Sequence, residues 1–345
     1  MHDLVVAGGG PVGLATALHA HRAGLSVLVH EPRGGPVDKA CGEGLMPGAV
    51  AELADLGVHP RGRDLTGIHY LDDRVGKDVR AAFASGPGRG VRRTVLHAAL
   101  SEQVEAAGIE VDPTPVRTVD DRGDHLVVEG LRTRYLVAAD GLHSPVRRLV
   151  GLEVPHAGRR RFGLRCHVRQ APWSSYVEVH WSRRAEAYVT PVDDDLVGVA
   201  VLADAGSRFE DLLADFPVLE RRLTGPRTPV MGAGPLRQRA SSRVRGRVLL
   251  VGDAAGYVDA LTGEGLALGL GQARAAVECL AAGRPQHYAS VARRLGLRHE
   301  ALTHLLLRAT GQPTVRRHLV PAAARAPWLF STAVNQLARP VGRTP

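Results

Sequence analysis

Two hydrophobic periods divide this chain. Leu4-Val5-Val6-Ala7 is an unbroken apolar run ending at Gly8, and residues 25–30, 136–139 and 247–251 repeat the pattern. Runs of that length suit strands buried on both faces, as in a parallel sheet. Residues 14–23 and 266–282 read as helices, the first ended by Gly24. Between 159 and 203 the period drops to two. Residues 161–168, 176–181, 187–192 and 196–201 alternate, joined by short polar connections at Arg183-Arg184 and Asp193-Asp194-Asp195. That predicts antiparallel neighbours, with Val177, Val179 and Trp181 on one face and Tyr176, Glu178 and His180 on the other. Residues 61–90, rich in Gly, Asp and Arg, read as a short strand pair. Helical spacing returns at 288–308 through Val291, Ala292, Leu295, Leu302 and Leu305, and helices continue between Pro321, Pro327 and Pro340. The expected organisation is a discontinuous nucleotide-binding body (1–60, 91–152, 236–285), a β-sheet substrate domain (61–90, 153–235) and a helical segment (286–345).

Three glycine motifs sit at the ends of the continuous runs. Gly8-x-Gly10-Pro11-Val12-Gly13 lies between the first strand and its helix, the setting a dinucleotide fingerprint requires. Gly8 permits the turn, Gly10 lets backbone approach a pyrophosphate, and Gly13 lets the helix pack on the strands. The pyrophosphate would rest on free amides at the helix start. Glu31 ends the second strand, 23 residues after Gly8, placed to accept from an adenosine ribose, with Pro32 and Arg33 beside it. Asp140-Gly141 follows the 136–139 run. Gly252-Asp253 follows the 247–251 run and leads to Gly263-Glu264-Gly265 before the next helix. In this order the three motifs read as one FAD site, with Asp253 accepting from ribityl hydroxyls and the Gly263–Gly265 amides near the pyrimidine edge.

These residues resemble the FAD-dependent oxidoreductases of the para-hydroxybenzoate hydroxylase fold, and most of all their geranylgeranyl-reductase-like branch. The distinctive matches are Asp38-Lys39-Ala40-Cys41-Gly42-Glu43-Gly44-Leu45 and the run from Gly252 to Gly265. The resemblance covers roughly residues 1–285. It implies an α/β fold: a Rossmann-type, glutathione-reductase-like FAD domain with an inserted antiparallel substrate sheet and C-terminal helices. It further implies that Arg93 lies near the pyrophosphate, that Asp140-Gly141 is the second fingerprint, and that Cys41 and Gly42 lie by the flavin. Tyr188 and Pro191 resemble a pocket-lining stretch, although Val189 and Thr190 replace the family's aromatic. Ala260 stands where family members often carry proline. The motif of the tryptophan halogenases is absent.

Flavin carries the redox step, so the protein positions substrate and controls water. The first reading is a monooxygenase hydroxylating a small phenolic or polyketide-like compound through a flavin C4a-hydroperoxide. The alternative is an ene-reductase acting on a prenyl-type alkene; a third is a flavin-binding protein without turnover. Cys41 points to the reductase, or is a small packing residue. Tyr188 and His180 are the other catalytic candidates, with Glu178 and His167 as further acid–base groups. Without a second nucleotide-binding fold, electrons would come from a transiently bound NAD(P)H or from a partner reductase.

Charge and cysteine usage narrow the class further. The formal charge is +9, and residues 284–345 hold ten arginines against one acid, Glu300. The remaining chain carries 34 basic and 34 acidic residues, so the excess is confined to the C-terminal segment. That segment is either a solvated helical face or a docking surface for an acidic carrier domain, an anionic ligand or a membrane surface. Nucleic acid is not expected, because no aromatic platform accompanies the charge. Cys41, Cys166 and Cys279 lack paired spacing, which argues against disulfides and a metal site. No charged-then-apolar leader precedes Leu4, so a cytoplasmic location is expected.

Overall fold

The computed structural model describes residues 1–155 and 160–342. Arg159, in the expected 153–235 segment, and Arg343, in the basic segment, lie outside them. The four continuous apolar runs become parallel strands, and Glu110–Asp112, which no apolar run marked, adds a fifth; the order is Val248–Leu250, Leu131–Ala138, His2–Ala7, Val27–His30 and Glu110–Asp112. Both faces of that sheet are covered. Leu4, Val6, Val29, Val137 and Leu249 pack beneath the helices Pro11–Arg22, Arg93–Ala106 and Gly265–Ala281. Val5, Leu28, Leu136 and Leu250 pack on the opposite side. This is why the runs show no alternation. Gly8, Asp140 and Asp253 all follow carboxyl ends of these strands, where such sheets bind ligands.

The alternating segments form a seven-stranded sheet with Arg161–Arg169, Leu196–Asp204, Glu186–Asp193 and Tyr176–Trp181 as antiparallel neighbours. Gly67–Asp72 pairs antiparallel with Lys77–Ala82 and joins the sheet by pairing parallel to Tyr176–Trp181. Cys166, Val199 and Val201 on one face are covered by Phe209, Leu212 and Phe216, from short helical turns that the sequence pattern did not announce.

Tyr176–Trp181 splits by face as expected, but its polar members are not solvated. Glu178 is 3% exposed and His180 2%. They belong to a chain of charge on the far side of the sheet. Glu178 Oε2 accepts from Trp173 Nε1 (3.0 Å) and lies 3.2 Å from His180 Nε2. His180 Nδ1 lies 3.8 Å from Asp73, while His69 sits 3.9 Å from Glu178 and 2.8 Å from Asp78.

The helices Tyr288–Thr310, Pro313–Arg325 and Pro327–Ala338 cap the sheet. Arg316, one of the ten C-terminal arginines, is buried there. It donates to Ser182 O (2.7 Å) and Ala185 O (2.6 Å) and pairs with Glu186, which also pairs with Arg161. No described helix is long and apolar enough to cross a membrane.

Candidate active site

The fingerprint turn is fixed by steric exclusion and by hydrogen bonds. A Cβ on Gly13 would stand 1.8 Å from Gly8 O, and one on Gly8 (φ +101°) would stand 2.7 Å from Ala139 O. The first and second motifs therefore touch backbone to backbone. Gly9 is gripped from both sides: its N–H donates to Glu31 Oε2 (2.8 Å), and His97 Nε2 donates to its carbonyl (2.9 Å). Gly10 is different. A Cβ there meets only Arg93 Nη2 at 3.6 Å, so the turn is open toward a cavity. Gly10 is the N-cap without a side-chain cap, and Pro11 occupies the first turn. The remaining first-turn amides are available to an anion.

Gly10, Pro11, Val12, Arg33, Cys41, Gly42, Arg93, Asp140, Gly141, Tyr188, Asp253, Gly263 and Gly265 all line this one cavity, of about 320 Å³. Lys39 crosses it: its Nζ is 3.9 Å from Asp253 Oδ2 and 3.6 Å from where a Gly141 Cβ would stand, so it spans the second and third motifs. The helix Gly265–Ala281 also starts at the wall without a side-chain cap. Arg93 Nε and Asp140 Oδ1 are buried without a hydrogen-bond partner among the described residues. Two uncapped helix starts, an arginine and an open glycine along one trough fit an extended dinucleotide.

Several expected contacts are placed otherwise. Glu31 does not line the cavity; its carboxylate is taken by Gly9 and by Arg33, at 2.7 Å to each oxygen. Burial opposes its charge, but the Arg33 hydrogen bonds outweigh burial and lower its pKa. It braces the fingerprint turn. Pro32 is exposed outside the cavity. Gly252 (φ +58°) is packed on Val12, and its N–H donates to Gln272 Oε1 (2.8 Å). Glu264 turns away and bonds His299 Nδ1 (2.7 Å), tying the third motif to the capping helix; burial raises its pKa against the pull of His299. Asp140 accepts from Val146 N–H (2.9 Å), and burial raises its pKa. His180, expected as a catalytic candidate, is excluded from the cavity by strand alternation, since its neighbours Val177 and Val179 occupy the cavity face.

Cys41 sits on a loop strapped from below. Its Sγ accepts from Glu43 N–H at 3.4 Å. Glu43 Oε1 accepts from Arg93 N–H (2.9 Å), and Oε2 meets His167 Nε2 (2.7 Å). His167 Nδ1 is 3.1 Å from Arg165 Nη1, and Arg165 pairs with Asp38. His167 thus holds the Cys41 loop onto the substrate sheet. Its carboxylate partner, Glu43, lies 124 residues away in the chain, which periodicity cannot reveal. Tyr188 is at the wall, but its hydroxyl donates to Leu261 O (3.0 Å), and burial raises its pKa, so it stays protonated and holds the third motif.

One end of the cavity is apolar. Leu65, Ile68, Val177, Val179 and Leu261 form its walls, and Leu306, Val334 and Leu337 from the capping helices contribute to it. Tyr70 stands among them, its ring 5.3 Å from Trp181 and 4.7 Å from Phe330. Its hydroxyl has no hydrogen-bond partner among the described residues, and burial raises its pKa. No sequence signal marked Tyr70 or the capping leucines.

A parallel sheet with three ligand-facing turns and an apolar chamber beneath a second sheet defines a flavin-dependent oxidoreductase. The chain belongs to the FAD binding domain family, which it matches over residues 1–203, and within it to the para-hydroxybenzoate hydroxylase fold and its geranylgeranyl-reductase-like branch. Menaquinone reductase of Mycobacterium tuberculosis is 31% identical over 311 residues, covering 81% of this chain and 76% of that protein. Digeranylgeranylglycerophospholipid reductase 2 of Methanosphaera stadtmanae is 25% identical over 304 residues, covering 76% and 74%. The solved flavin-dependent brominase Bmp2 shares the fold at a TM-score of 0.81 and 18% identity, covering 98% of this chain and 93% of its own.

Proposed function

We propose that this enzyme reduces a carbon–carbon double bond in an apolar, prenyl-type substrate. The observation that carries the reading is the apolar end of the cavity, where aliphatic walls surround the Tyr70 hydroxyl. The names of the menaquinone and geranylgeranyl-type relatives point the same way. FAD bound on the three motifs supplies hydride, after reduction by NAD(P)H or a partner reductase. The chain's own residues do the rest. Aliphatic walls orient the alkene and exclude water, and Tyr70, kept protonated by burial, holds the proton that completes saturation. Cys41 is the second candidate donor.

Hydroxylation of a small phenol is the second reading, favoured by the same hydroxyl, which can hydrogen-bond a phenolic oxygen. The two separate in one experiment. The flavin is reduced anaerobically and mixed with substrate. Reoxidation without oxygen, giving a saturated product, is expected; reoxidation that waits for oxygen and places it in the product would establish hydroxylation instead. Tyr70→Phe is expected to slow turnover roughly a hundredfold with unchanged FAD content.

A further inference from the structure

The capping helix Tyr288–Thr310 has two unlike faces. Ala292, Gly296, His299 and Thr303 are buried inward, and Leu306 reaches the cavity. Outward, Arg294, Leu297, Arg298, Leu305 and Arg308 are spaced by three, four and seven residues, so they share one side. Leu297 is 65% exposed and Leu305 66%. Arg298 bonds Gln336 (3.2 Å), which joins this side to the last helix, whose first turn carries Trp328, 68% exposed. Among the described residues no carboxylate lies within ion-pair distance of Arg294, Arg298 or Arg308.

An isologous contact with a second copy would set these arginines against their own equivalents. An acidic protein would answer the arginines but leave no reason for two leucines held in water between them and a tryptophan exposed on the neighbouring helix. Arginine interleaved with leucine, and tryptophan at the margin, matches the boundary between anionic headgroups and acyl chains. We propose that this outer face docks the protein on an anionic lipid bilayer, placing the apolar end of the cavity beside the bilayer. The proposal rests on the prenyl-type substrate reading, because such a substrate partitions into lipid.

FAD-loaded full-length protein is floated with vesicles of phosphatidylcholine alone, or of phosphatidylcholine with phosphatidylglycerol. Co-flotation is expected only with phosphatidylglycerol, reversed by salt, with a blue-shifted tryptophan emission that Trp328→Phe removes. Arg294→Gln with Arg308→Gln lowers partition about fivefold per arginine. Leu297→Ser with Leu305→Ser lowers it roughly tenfold at unchanged charge. Protein that floats with no vesicle, or arginine variants that float like the parent, would overturn the proposal. Leucine variants that float like the parent would also overturn it, in favour of a partner that reads charge alone. Turnover of a short, detergent-dispersed prenyl alkene stays at the parent rate in all of these variants. Absent turnover with intact flotation would sink the substrate reading alone.

Discussion

At the scale of single residues, glycines in one motif serve separable purposes. Gly13 has no room for a side chain because Gly8 O is 1.8 Å from its would-be Cβ, whereas Gly10 faces open space. Gly13→Ala is expected to cost about 3 kcal/mol or more through forced displacement. Gly10→Ala is expected to keep the Tm of the FAD-free parent while losing FAD, because its methyl occupies the cofactor's approach. Thermal melts beside flavin absorbance check both; equal Tm losses would contradict the distinction. These roles were legible in the sequence because they depend on backbone alone. His180 and Glu178 were not, because alternation marks polar positions without saying what covers them. Burial opposes His180's charge, but Asp73 and Glu178 raise its pKa above 6.5; burial likewise opposes Glu178's charge, but His180, His69 and Trp173 lower its pKa below 4.5. Stability from His180 is therefore present below pH 6.5 and lost as pH rises through its higher folded value. Stability from Glu178 is present above pH 4.5 and lost as pH falls. The Tm gap between parent and His180→Gln should be widest between those limits and shrink on the alkaline side, and a gap independent of pH would refute the pairing.

At the scale of elements, the strap from Asp38 through Arg165, His167 and Glu43 to Arg93 joins a loop, a strand and a helix start. Its strand was readable from alternation, the cysteine loop from its motif, and Arg93 only from the family resemblance; the helix that Arg93 opens was not read. Their convergence was not readable either, since nothing local to His167 records a carboxylate at position 43. His167→Ala leaves the Glu43 carboxylate buried without that partner, at a cost of about 3 kcal/mol. With one tether gone, the loop opens more often, so alkylation of Cys41 by iodoacetamide is expected to accelerate. A rate equal to the parent's, at a Tm lowered as expected, would show that the strap stabilises the sheet without restraining the loop.

At the scale of the molecule, the cavity is assembled from two bodies with different tolerances. Its cofactor end is made of turns fixed by the parallel sheet; its apolar end is finished by Leu306, Val334 and Leu337 from helices beyond that sheet. The glycine motifs disclosed the first end. The second was hidden because an apolar helix face announces that it covers something, never what. Outside the cavity wall, the bond from Glu264 to His299 couples the third motif to the cap. A change of size at the cap should therefore act on substrate alone, provided that bond is spared. Leu337→Trp adds volume at a half-buried wall position remote in sequence from every cofactor turn. It is expected to leave FAD content and the rate of flavin reduction unchanged while raising KM for a prenyl alkene at least about tenfold, the effect of losing ~1.4 kcal/mol of binding. Steady-state kinetics beside flavin titration checks this. If FAD affinity falls together with substrate affinity, the cap shapes the cofactor trough as well, and the division of the cavity into a fixed redox end and an adaptable apolar end is wrong.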